Sequence, residues 1–76
     1  MAALPVASGR KVVRAFQSDG WTLARHNRSS HMILVKEGHT ATLSVPDHRE
    51  VARGTLRSLI RSSGLTVERF VELLKG

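Results

Sequence analysis

Hydrophobic positions in this chain recur first at helical spacing and then at strand spacing. Val12, Val13 and Phe16 fall at i, i+1 and i+4, which gives one apolar face to a helix over residues 9–19. Ser8 stands where an N-cap is needed, and Gly20 where a left-handed stop is needed. Arg10 and Arg14 lie four apart on another face of that helix. The period then drops to two. Residues 21–26 (WTLARH) alternate and are rich in β-formers, and residues 31–36 (HMILVK) are nearly all apolar. In residues 39–45 (HTATLSV), Ala41, Leu43 and Val45 point one way while Thr40, Thr42 and Ser44 point the other. The polar set predicts a sheet face open to water or to a ligand. NRSS at 27–30 and EG at 37–38 supply turn chemistry, and Pro46 ends the third strand.

Helical spacing returns with Leu56, Leu59 and Ile60, which predict a second helix over residues 54–63, stopped by Gly64. Thr66 caps a last helix with Val67, Phe70, Val71 and Leu74 as its stripe. The order α-β-β-β-α-α predicts an α+β domain, an antiparallel three-stranded sheet with helices on one face. Residues 1–7 are expected to form a short, poorly ordered lead and residues 8–76 one domain. The second strand is apolar on both parities. Either Met32 and Leu34 or Ile33 and Val35 could face the core, so the face that carries His31 stays open.

At 76 residues with 41% hydrophobic content, the chain has one small core and no room for a second domain. It has no cysteine, which excludes a disulfide scaffold or thiolate zinc site and fits a reducing cytoplasm. No apolar run is long enough to cross a membrane, and the first residues do not read as a secretory signal. The Gly-rich phosphate loop and the G-x-S-x-G elbow are missing. The four histidines lack H-x-x-x-H spacing, so neither a metal nor a cofactor is expected.

Charge changes the picture more. The net charge is +6, and nine of the twelve cations are arginine, whose planar fork suits phosphate. An anionic partner follows: nucleic acid, an acidic membrane surface or an acidic protein. Arg53, Arg57 and Arg61 stand four apart, each step turning about 40° past a full circle, so they share one side of the second helix. Such a row can track a phosphate backbone, or simply be a solvated face. With three aromatic residues in all, base stacking on splayed single strands is disfavoured.

Histidine is the side chain best suited to proton transfer near neutral pH. His31 has the most suggestive neighbours: Arg25, His26, Arg28, Ser29, Ser30 and, at the far end of its strand, Lys36. Metal-free RNA cleavage needs a base for the ribose 2′-hydroxyl, an acid for the leaving 5′-oxygen and positive charge on the phosphate. His26, His48 and Lys36 are candidates for the second proton-transfer group. On residue types alone, a solvated strand-edge histidine accounts for His31 better than a catalytic one.

Three stretches carry a family likeness: SGRKVVRAFQSDGW at 8–21, RHNRSSH at 25–31 and LSVPDHREVARGTLRSLIRSSGLTVERFVELL at 43–74. In this order they resemble the HicA-like (YcfA-type) toxins of toxin–antitoxin pairs. The resemblance implies a double-stranded RNA-binding-domain-like fold and a toxin that acts as an mRNA interferase, an endoribonuclease without a cofactor. It also implies that His31 is the essential histidine and that a HicB-type antitoxin covers it. RNA contacts are then expected from Arg10, Arg14, Arg25, Arg28, Ser30, Lys36, Arg53, Arg57 and Arg61, in a toxin that is monomeric alone. A non-catalytic RNA-binding module of the same fold is the alternative. Two positions depart from the family pattern: Ser29 stands where glycine is common, and Leu34 where an aromatic often follows the histidine.

Overall fold

A computed structural model describes residues 3–28 and 30–76. In chain order the elements are α1 (Gly9–Ser18), β1 (Thr22–His26), β2 (His31–Val35), β3 (Leu43–Pro46), α2 (Arg53–Ser63) and α3 (Val67–Lys75). The order is the α-β-β-β-α-α expected from the hydrophobic pattern. The Ser8 side chain accepts the Lys11 N–H and Thr66 accepts the Arg69 N–H, so both helices start on the anticipated caps. Gly64 ends α2 with φ 83°. α2 begins at Arg53 behind Ala52, whose side chain offers no cap.

The sheet is antiparallel in the order β1-β2-β3. Met32 and Leu34 on β2 pair with Val45 and Leu43 on β3, and all four are buried. This resolves the parity of β2: its even positions face the helices. Ile33, Val35 and Ser44 lie on the other face, with Val35 and Ser44 exposed. Across the layer, Phe16 of α1 meets Phe70 of α3 at 5.1 Å between ring centroids and Trp21 at 6.4 Å. Both phenylalanines are fully buried, each burial worth about 1.5–3 kcal/mol.

Three expectations need correction. β3 is shorter than residues 39–45, because pairing with β2 runs only from Leu34↔Leu43 to His31↔Pro46. His39 leaves the ladder and packs edge-on against Trp21 at 5.2 Å. Alternation in β1 is broken by a bulge at Ala24: Leu23 pairs with Leu34, yet Arg25 pairs with Ile33. And residues 3–7 are not a loose lead, since Leu4 and Ala7 are buried and the Ala7 carbonyl accepts the Val51 N–H at 2.9 Å.

Candidate functional site

The site is built at the end of the sheet where β1 turns into β2. The Asn27 N–H donates to the His31 carbonyl at 2.9 Å, and the Ser30 N–H donates to the Asn27 carbonyl at 3.1 Å. The Asn27 side chain closes the turn from the other side, its Oδ1 accepting the His31 N–H at 3.1 Å. Such side-chain-to-backbone bonds are why asparagine recurs in turns. Ser30 has φ 61°, the one left-handed non-glycine backbone among the described residues. Short hairpin loops usually place glycine at such a position. Ser29, the departure singled out in the sequence, lies outside the described residues.

His31 opens β2, half-buried, on the parity of Ile33 and Val35. It therefore belongs to the open face of the sheet. The bulge at Ala24 puts Arg25 on the same face, opposite Ile33 and diagonal to His31. Ser44 flanks Ile33 from the other side. An imidazole, a guanidinium and a hydroxyl thus share one solvent-facing surface. This is a set that could move a proton and hold an anion.

On the helix side of the same end stands Asp47, directly after β3. Its carboxylate accepts from Arg10 of α1 through Nε at 3.3 Å and Nη2 at 3.4 Å. His26 Nε2 lies 3.3 Å from Asp47 Oδ2. The Asp47 backbone N–H donates to the Ser30 carbonyl at 2.7 Å. α1 reaches this corner because Gly9 has no side chain: a Cβ there would collide with the Pro46 carbonyl oxygen. Gly9 N–H also donates to the His48 carbonyl at 2.9 Å.

The other cations divide into two groups. Arg14, Arg25, Arg28, Arg53, Arg57 and Arg61 are exposed and make no ion pair among the described residues. Lys36 lies at the opposite end of β2 from His31, paired with Asp19 at 3.1 Å and set 6.0 Å from the Trp21 ring centroid. Of the candidates for a second proton-transfer group, His26 is at the His31 end of the sheet but on the helix side, and Lys36 is remote. Asn27 and Asp47 were not singled out in the sequence, and Ser44 was named there only among the polar positions of a sheet face open to water or to a ligand. For Asn27 and Asp47 the available signal was an Asx residue at a turn and after a strand-ending proline.

A family model described as HicA toxin of bacterial toxin–antitoxin matches residues 9–65. No curated protein and no solved structure matches the chain.

Proposed function

Since this chain belongs to the HicA toxin family and is the toxin of a toxin–antitoxin system, we propose that it acts as an endoribonuclease on mRNA with His31 as its proton-transfer group. The observation that supports this most is the placement of His31 on the open sheet face with Arg25 diagonal to it. In the proposed reaction His31 acts on one of two protons. As base, it takes the proton of a ribose 2′-hydroxyl while the 2′-oxygen attacks the adjacent phosphorus. The bond from phosphorus to the 5′-oxygen breaks, leaving a 2′,3′-cyclic phosphate, and the 5′-oxygen is protonated by a second acid or by water. Arg25 balances the charge that builds on the phosphoryl oxygens. As acid, His31 would instead protonate the leaving oxygen.

Substrate docking is assigned to phosphate contacts from Arg14, Arg25, Arg28 and the Arg53, Arg57 and Arg61 row, with Ser30 at the turn. The row advances about 6 Å per step along α2, so it can follow a strand. The partner proposed for the His31 face is a HicB-type antitoxin, and the compartment is the cytoplasm. The test is induced expression of wild type against His31→Ala, with RNA cleavage measured on the purified proteins. Arrest and cleavage by wild type alone support the reading. Equal cleavage by both proteins overturns the catalytic role. RNA binding without cleavage by either favours a non-catalytic binding module.

A further inference from the structure

We infer that Asp47 is the positioning residue of the His31 site, a carboxylate latch that holds the strained Ser30–His31 turn in place. The inference rests on the nuclease reading above for its consequence, but on separate contacts for its geometry. A left-handed serine is stable only when its surroundings hold it. Ser30 has two backbone restraints, its N–H on Asn27 within the turn and its carbonyl under the Asp47 N–H at 2.7 Å. The second comes from outside the hairpin, so it decides where the turn sits against the rest of the fold.

Asp47 is itself fixed from two further elements. Arg10 of α1 grips both carboxylate oxygens, and His26 at the end of β1 approaches Oδ2 at 3.3 Å. With Pro46 opposite His31 in the ladder and Gly9 packed on the Pro46 carbonyl, α1, β1, β2 and β3 converge on this residue. The carboxylate aims the backbone, and the backbone N–H holds the carbonyl that immediately precedes His31. Asp47 faces the helix side, away from the surface that His31 and Arg25 share. It touches no substrate and acts through the turn.

This role has a signature that neither a phosphate contact nor a general packing role would show. Removing an aspartate makes the surface more basic and releases Arg10. RNA affinity should therefore hold or rise while turnover falls. For Asp47→Ala we expect kcat to drop on the order of ten-fold or more with KM unchanged or lower. Asp47→Asn, which keeps the shape and an acceptor for Arg10, should recover most of that loss. Amide hydrogen exchange at positions 47 and 31 reads the latch directly, whether or not RNA is cut. It should accelerate in Asp47→Ala and, because Arg10 is solvent-exposed and its loss leaves the core intact, also in Arg10→Ala. Wild-type exchange at both positions in Arg10→Ala and Asp47→Ala overturns the latch. So does a wild-type kcat in Asp47→Ala where His31→Ala is dead. Failure of the nuclease reading looks different: His31→Ala then cleaves like wild type while the exchange result stands on its own.

Discussion

The β1–β2 turn closes with the Ser30 N–H on the Asn27 carbonyl at 3.1 Å, and the β2–β3 connection begins with the His39 N–H on the Lys36 carbonyl at 3.0 Å. Among the described residues, each contains one left-handed position. The second uses Gly38 at φ 84°, with no side chain to strain, and the first uses Ser30 at φ 61°. Their surroundings differ in the same sense. At the Gly38 end Lys36 pairs with Asp19, and both Lys36 and His39 approach the buried Trp21 ring. At the Ser30 end the side chains meet above a strained turn, and the histidine that follows belongs to the open face. Both ends hold a histidine, a cation and an aspartate. One set staples the fold to an aromatic core residue, and the other surrounds the proposed site. Strain sits at the end that carries the candidate site, as expected where a group must be held for function.

The sharpest way to break this comparison is to remove one histidine from each end. His31→Ala should lower RNA cleavage by roughly 10²–10⁴-fold, the usual contribution of a proton-transfer group, with little change in thermal stability. His39→Ala should leave cleavage intact and cost about 0.5–1.5 kcal/mol in urea unfolding through its lost ring contact. If His39→Ala silences cleavage as well, the two ends are not separate in function. The next largest effect is Trp21→Ala, which should cost about 3–5 kcal/mol, because an indole 3% exposed leaves a cavity that neighbours cannot fill. That loss is read as a lower urea midpoint, with cleavage per folded molecule retained.

The row on α2 gives a third contrast, the proposed docking surface set against the proposed reacting group. Arg57→Ala should weaken RNA binding at every sequence tested and reduce the slope of affinity against salt by about one phosphate contact. Turnover at saturating RNA should stay near wild type. A selective loss for one RNA sequence would instead assign Arg57 to base reading.

How much of this was legible depended on which interactions decide each feature. Helix starts at Ser8 and Thr66 were readable because a capping side chain and its target are three residues apart. The order of elements followed from the change of hydrophobic period. The face of His31 was not readable, because Met32, Ile33, Leu34 and Val35 are all apolar and only pairing with β3 distinguishes them. Arg25 was legible as a cation but not as a neighbour of His31 on one face. Simple alternation puts Arg25 on the helix side with Leu23, and only the bulge at Ala24 turns it to the open face that His31 shares. Asp47 was passed over because its partners Arg10, His26 and Ser30 are distant in sequence and only the folded corner gathers them. Leu4 was missed since the seven residues before the Ser8 cap are all apolar and have no period to reveal burial.

The smallest effects test the two turns themselves. Gly38→Ala adds a Cβ that meets nothing within 4 Å, so its cost is backbone strain of about 1–2 kcal/mol for a left-handed L-residue, offset in part by the freedom alanine removes from the unfolded chain. Ser30→Gly removes strain of about 1 kcal/mol, offset in part by roughly 0.5–1 kcal/mol from glycine's greater freedom in the unfolded chain. The net should stabilise by up to about 0.5 kcal/mol and raise Tm by up to a few degrees, in a domain this small. The signs are therefore opposite at the two ends. Yet the stabilised Ser30→Gly protein should not cleave faster, since a glycine loosens the turn that Asp47 and Asn27 hold. A lower Tm in Ser30→Gly would mean that Ser30 is not the strained position, and that the two turns differ in composition without differing in stored strain.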